Sequence, residues 1–235
     1  MAKSVTLRDA WSGEASCKNC ALRHSVLFAG LKEPDFERIH DPIDQFTLKP
    51  GANLYRAGDT GDYLFTVRTG TLKLVQYLPD GSQRIVRIVR ATDVLGLEAI
   101  LDTAYQHDAI ALHVTEVCRF PARLVRDLGR ENPDLHHELM MRWQHALTEA
   151  DAWLTELSTG AARQRVARLL LRLVLDRKTS ECHLFSREDM GAMLGITTET
   201  TSRTIAEFKR QSLLVETSPN LFLLDIPNLR RIAED

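Results

Sequence analysis

The stretch from Ser186 to Leu214, SREDMGAMLGITTETTSRTIAEFKRQSLL, constrains this chain most, because its punctuation admits two short helices joined by a tight turn and little else. Ser186 with Asp189 three residues on is an N-cap pair of the capping-box type, and Met190, Met193 and Leu194 follow at helical spacing. Gly195 ends that helix. Thr197 or Thr198 caps a second one, whose inward face carries Thr201, Ile205 and Phe208. Glu199, Ser202 and Arg203 then share the outward face, since residues three and four apart are neighbours on a helix. A carboxylate, a hydroxyl and a guanidinium on one short face suit the edges of bases. Arg donates twice to guanine O6 and N7, Glu accepts from cytosine N4, and Ser serves either role. The same spacing also describes an amphipathic hairpin with solvated charges, so the residues alone leave both readings open.

The chain has 235 residues, 44% hydrophobic and 26% charged, which suits one large or two modest globular domains. Its net charge of -2 excludes a generally basic nucleic-acid binder, so any DNA-binding face must be local. Residues 161–235 carry 12 Lys and Arg against 10 Asp and Glu, and residues 1–160 carry 18 against 22, a mild asymmetry. The start, MAKSVTLRDAWSGE, has no apolar signal region and no run is long enough to span a bilayer, so a cytoplasmic protein without a membrane partner is expected. In a reducing compartment the four cysteines are thiols or ligands rather than structural disulfides. No nucleophile-base grouping, phosphate loop or carboxylate pair points to an enzyme.

The pattern divides the chain. Residues 1–28 read as a polar, irregular segment containing C-x-x-C at Cys17 and Cys20. Residues 29–130 are dominated by short strands with glycine and proline turns, clearest in YLFTVRTGTLKLV, and predict an antiparallel β-roll of the jelly-roll or cupin-like kind. Residues 131–160 predict one long helix. Leu139, Trp143, Ala146, Ala150, Trp153 and Leu157 form a seam at steps of four and three, and Met140, Leu147 and Leu154 lie beside it at steps of seven. One line would pack on the β domain and the other on a second copy of the chain, the named seam being the expected dimerisation line. Residues 161–235 contain a helix from Arg163 to Leu175, the helical pair, and a β-hairpin wing turning at Ser218-Pro219-Asn220. The fold class is therefore α+β, with a sensor β-roll, a dimerisation helix and a winged helix-turn-helix.

This order, with KPGANLYRAGDTGDYLFTVRTGTLKL, DGSQRI and LGITTETTSRTIAEFKRQSLL, resembles the Crp/Fnr superfamily of bacterial transcription regulators over nearly the whole chain. Glu199, Ser202 and Arg203 are similar to the E-x-x-S-R signature of the Fnr branch, and Thr198 stands where the cyclic-AMP receptor branch has Arg. The resemblance implies a homodimer on double-stranded DNA, at a palindrome with TTGAT-type half-sites. Arg203 would meet the guanine, Glu199 the opposite strand and Ser202 a thymine. Arg187, Thr197, Thr200, Lys209 and Arg210 are the candidates for backbone contacts, which position a protein without specifying sequence. RNA polymerase is the further partner if the chain activates, and the Pro79–Ser82 loop is one place it would touch. Thr201 departs from the family's usual aliphatic residue, but its methyl can pack.

The resemblance also frames what is sensed. In nucleotide-binding members an acidic residue follows the glycine of a G-E-L motif and a downstream Arg-Ser pair holds the phosphate. Here Leu97 follows Gly96 and His107-Asp108 stands near the basic pair, so no cation is expected there and cyclic AMP is not expected to bind. Fnr carries a [4Fe-4S] cluster on four cysteines. Cys17, Cys20 and Cys118 match three of those places and Val26 occupies the other, so a four-cysteine cluster is not available from the motif. Three chemistries stay open: an atypical iron-sulfur cluster or a zinc ion, each using Cys17, Cys20 and Cys118 with His24, or a reversible disulfide with redox state as the signal. Haem at His107 or His113, an effector-independent regulator, and a metal- or thiol-based redox protein with DNA binding secondary are the alternatives.

Overall fold

The structure is a computed structural model that describes residues 10–15, 20, 43–174 and 179–234. Its residues fall into two compact units, Met1–Gln76 with Val86–Thr148 and Tyr77–Ile85 with Glu149–Asp235.

The first unit holds an antiparallel jelly roll. Strands β1 (Trp11–Glu14), β2 (Asp44–Leu48), β9 (Thr115–Pro121), β4 (Tyr63–Thr69) and β7 (Val94–Leu95) form one sheet in the order β1-β2-β9-β4-β7. Strands β3 (Asn53–Tyr55), β8 (Asp108–Ala111), β5 (Thr71–Tyr77) and β6 (Gln83–Arg90) form the other, in the order β3-β8-β5-β6. The period-two pattern of YLFTVRTGTLKLV is what makes β4 and β5: Phe65, Val67, Leu72 and Leu74 are buried in one core with Phe46, Leu95 and Val117. Gly70 turns the chain between those strands at φ +85°, and a Cβ there would lie 2.4 Å from the Val114 carbonyl oxygen, so only glycine fits. The segment read as an irregular tail contributes an edge strand instead. β1 pairs with β2, and the Trp11 indole N–H donates to Asp44 at 3.0 Å, a long-range pairing that local composition does not reveal.

β9 runs directly into α1 (Ala122–Glu131), and Asn132 separates it from α2 (Pro133–Ala152). A π-helical segment, Trp153–Leu157, continues α2, and Gly160 at φ +83° breaks the chain before α3 (Ala162–Arg172). Arg172 from α3 pairs with Glu149 at 3.2 Å and Glu156 at 2.8 Å, and Arg168 donates to the Glu156 and Thr159 carbonyls, which ties the π-helical segment to α3.

The second unit carries the helical pair and its wing. α4 is Arg187–Leu194, α5 is Thr198–Arg210, and α6 (Ile226–Glu234) packs on α3. β11 (Leu214–Ser218) and β12 (Leu221–Leu224) form the expected hairpin, joined by β10 (Glu181–His183) in a sheet of order β10-β12-β11. β10 and α6 were not anticipated. Three residues are too few to show a period, and β10 exists only because the wing supplies its partner strand.

The angle between α4 and α5 is set by a close approach. A Cβ on Gly191 would lie 2.7 Å from the Ile196 carbonyl oxygen, and that carbonyl belongs to the turn. Gly191→Ala is therefore expected to destabilise the protein by about 1–3 kcal/mol, as overpacking against rigid backbone does. Urea titration followed by circular dichroism measures this, and a variant as stable as the parent would contradict the packing described.

Candidate nucleic-acid interface

The interface is built from the caps outward. The Ser186 Oγ accepts from the Asp189 N–H at 3.0 Å and donates to the Asp189 carboxylate at 2.8 Å, which fixes the first residue of α4. Gly195 closes α4 in the left-handed region at φ +62°, its N–H and that of Ile196 both reaching the Gly191 carbonyl. Thr197 caps α5, its Oγ1 accepting from the Thr200 N–H at 3.1 Å. A cap loses about 1 kcal/mol when truncated, so these residues define both ends of the turn.

α5 buries one face completely. Thr201, Ile205 and Phe208 are buried, and Thr201 donates its hydroxyl to the Thr197 carbonyl at 3.1 Å, so its polar atom is satisfied while its methyl packs. Burial of Phe208 alone contributes about 2 kcal/mol. The opposite face presents Glu199, Ser202 and Arg203, all exposed. The side chains of Glu199 and Arg203 are 71% and 79% accessible and form an ion pair one turn apart. In water such a pair contributes only about 0.3–0.5 kcal/mol, so it is readily exchanged for contacts to an incoming ligand. What it does supply is preorganisation, since each partner holds the other on the outward face.

The backbone candidates divide. Thr197 and Thr200 stand at the N-terminus of α5, their hydroxyls 2.9 Å apart, where unpaired N–H groups and the helix dipole favour an anion. Arg210 is exposed. Lys209 is engaged within the unit: its Nζ pairs with Glu216 at 3.1 Å and lies 4.5 Å from the centre of the Phe222 ring, so it fastens the wing to α5. That same hydrogen bond from Lys209 is the main reason the Glu216 carboxyl titrates below the usual carboxylate range. Arg187 is half-buried, its guanidinium 3.7 Å from Met190 Sδ, and burial lowers its pKa. Both cations serve packing within the unit, which sequence spacing does not distinguish from a solvated charge. Arg165 was missed. From α3 it donates to the Leu194 carbonyl at 2.6 Å, satisfying the C-terminus of α4 just before the turn.

The expected dimer seam splits. Leu139 and Leu157 are buried within the chain, Trp143, Ala146 and Trp153 are half-buried, and Ala150 is exposed. The exposed line is the neighbouring one, Met140, Leu147 and Leu154, with Leu154 66% accessible. Steps of four and three could not say which line faces inward, because that depends on how the helix is rotated against the β-roll.

In the sensor region, the expectation that no cation stands near His107 is corrected. Arg87 on β6 acts electrostatically on both His107 and Tyr55. His107 is half-buried, and desolvation is the main cause of its lowered pKa. Asp108 accepts from the Ala57 N–H at 2.8 Å, and Tyr105 stacks on Tyr55 at 4.0 Å and donates to the Tyr63 carbonyl at 2.7 Å. Leu97 is buried. His113 lies in the turn between β8 and β9.

Of the cysteine set, Cys17, Val26 and His24 lie outside the described residues. Cys118 on β9 is buried, and Arg68 on β4 donates to its Sγ at 3.7 Å. Cys20 is half-buried and within electrostatic reach of both. Burial pushes the Cys118 thiol up, and Arg68 opposes that shift. Cys182 is wholly buried in β10 of the second unit, its pKa raised by burial to about 11. These donors do not fit the four-cysteine cluster that the resemblance implies. Among the described residues no three His, Cys, Asp or Glu side chains form a metal-holding group, and no helix is long and apolar enough to cross a membrane.

Comparison with known proteins gives two family matches: the cyclic nucleotide-binding domain over residues 45–132 and the Crp-like helix-turn-helix domain over residues 164–232. The transcriptional activator protein FnrA of Stutzerimonas stutzeri is 28% identical, over 99% of this chain and 98% of the relative. The transcriptional activator protein Anr of Pseudomonas aeruginosa is 27% identical over the same shares. Among solved structures, FixK2 from Bradyrhizobium japonicum superposes with a TM-score of 0.73 at 24% identity, covering 81% of this chain and 96% of that one.

Because the Glu199–Arg203 pair is solvent-exposed, Glu199→Gln is expected to change unfolding free energy by less than about 0.5 kcal/mol. Chemical denaturation checks this, and a larger loss would mean that Glu199 is structural rather than presented to a partner.

Proposed function

The chain belongs to the Crp/Fnr family of DNA-binding transcription regulators, and on that premise we propose that it binds, as a homodimer, a palindromic promoter site with TTGAT-type half-sites. The observation that carries this reading is the α5 face, where Glu199, Ser202 and Arg203 stand exposed while Thr201, Ile205 and Phe208 lock the helix from behind. Arg203 donates to guanine O6 and N7, Glu199 accepts from the opposite strand, and Ser202 contacts the neighbouring thymine. Thr197, Thr200 and Arg210 hold the phosphates on either side. Lys209 and Arg187 act indirectly, the first by fixing the wing and the second by packing on α4.

A palindrome demands a two-fold axis, and two recognition helices must enter major grooves about 34 Å apart. Met140, Leu147 and Leu154 supply the interface: exposed apolar side chains at steps of seven are the repeat of a two-stranded coiled coil. The chain is a regulator rather than an enzyme, as its relatives are. By analogy with relatives named for fumarate and nitrate reduction and for electron transport, oxygen or redox state is the signal it answers, and Cys20 and Cys118 are where that signal enters. Contact with RNA polymerase follows if the protein activates.

Arg203→Ala is expected to cost about 1–3 kcal/mol per half-site and to relax preference at the guanine position. Selection from random duplexes checks this, and an unchanged palindrome would refute the assignment. Leu147→Glu is expected to give a monomer in analytical ultracentrifugation with loss of binding to the full palindrome. A variant that stays dimeric would place the interface elsewhere.

A further inference from the structure

A groove lies between α1, the first turn of α2 and the 3₁₀ helix Leu97–Leu101, all within the first unit. It encloses about 600 Å³, inside the roughly 300–1,000 Å³ usual for small-molecule sites. Its apolar lining is Val125 and Leu139, both buried, with half-buried Ile100 and exposed Pro133. What keeps it open is Gly129. That residue sits inside α1 in ordinary helical conformation, where glycine destabilises relative to alanine. A Cβ added there would meet, beyond its own helix and chain neighbours and among the described residues, only Leu139 Cδ1 at 3.6 Å, an ordinary van der Waals contact. Neither crowding nor backbone conformation calls for glycine at 129, in contrast to Gly70 and Gly191. A side chain omitted where the fold has room for one leaves that room to a ligand.

The polar lining is Arg126, Arg130 and His136, and among the described residues no Asp or Glu side chain lines the groove. Both arginines already share their charge. Arg126 pairs with Asp102 and donates to the Ala99 carbonyl at 3.5 Å, its side chain only 25% accessible, so it is a fixed part of the wall. Arg130 pairs with Asp127 at 3.7 Å, both largely exposed, a contact readily exchanged for a better one. The lining therefore offers donors for a single negative charge, with apolar surface beside them, and is too nearly neutralised for a dianion. We propose that this groove binds a monocarboxylate with an apolar body, of the medium-chain alkanoate kind. The carboxylate takes the Arg130 guanidinium, trading a 3.7 Å pair for a bidentate one, with the exposed His136 as its second partner. The alkyl chain leaves water along Val125, Leu139 and the space at Gly129. A ligand so held braces α1 against α2, and what that does to the Met140, Leu147 and Leu154 line rests on the interface proposed above.

Isothermal titration calorimetry of the full-length protein with decanoate tests this, with 1-decanol and decylammonium as the uncharged and cationic counterparts. The expected result is saturable binding at one site per protomer in the micromolar range, with both counterparts weaker by at least roughly tenfold, as loss of a charge-assisted hydrogen bond dictates. Arg130→Gln, a surface change that leaves the fold intact, should weaken decanoate roughly tenfold and leave decanol unaffected. Gly129→Leu should abolish binding by filling the groove. Gly129→Ala should raise the thermal midpoint by roughly 2 °C, because the helix gains and nothing is crowded. Four results would overturn the proposal: no saturable binding below millimolar decanoate; decanol or decylammonium bound as tightly; binding kept by both Arg130→Gln and Gly129→Leu; or a lowered midpoint in Gly129→Ala, which would make the glycine structural. Sedimentation of Gly129→Leu is measured in parallel, and loss of self-association together with decanoate binding would give the groove to a second copy of the chain instead. Decanoate binding is read without DNA, so its outcome is separate from that of the α5 assignment.

Discussion

The DNA-facing geometry depends on one close approach, that of the Gly191 backbone to the carbonyl of Ile196. It lets α4 and the turn meet at backbone distance, and Arg165 holds the same corner by donating to the Leu194 carbonyl. Once that corner is set, Thr201, Ile205 and Phe208 have one way to pack, and the outward face of α5 follows as the complement of the buried one. The residues proposed to read bases are thus positioned by the buried side chains behind them. That arrangement suits recognition, because the exposed residues stay free to exchange partners while the scaffold behind them is rigid.

Charge is distributed in keeping with this division. A chain of net charge -2 cannot rely on a broad cationic surface, so attraction to DNA has to be local, and the proposed reading concentrates it at α5 and its N-terminus. Within the second unit some cations already have partners. Lys209 is committed to Glu216 and Phe222, and Arg163 to Glu207 and Gln211. Arg203, held by Glu199, and Arg210 near the helix end are exposed on α5, as is Lys209 with its Glu216 partner. On the proposed reading, discrimination comes from a few bidentate contacts with only modest help from the overall field.

The helical pair was legible in the sequence because its signals are local: caps at Ser186 and Thr197, a stop at Gly195, and a buried face at three-to-four spacing all act within one turn of the chain. The strands β2 to β6 were legible for the same reason, their glycine turns being short-range. What escaped depends on distant partners. β10 exists through its pairing with β12, and β1 through its pairing with β2. The rotation of α2, which buries Leu139 and exposes Met140, is decided by the β-roll surface. The engagement of Lys209 and Arg187 and the approach of Arg87 to His107 are likewise tertiary facts. The C-x-x-C pair signalled sulfur chemistry, but the contact of Arg68 with Cys118 could not be read before β4 and β9 were set in register.

Whether the α5 face of a two-fold dimer reads a specific palindrome is decided by equilibrium binding at one fixed salt concentration. Fluorescence anisotropy would compare three labelled duplexes: an inverted repeat of TTGAT half-sites, a single half-site, and a scrambled sequence of equal composition. Two protomers are expected to bind the inverted repeat at least roughly a thousandfold tighter than the scrambled duplex, the lower end of the range for specific recognition. Equal affinity for all three would contradict it.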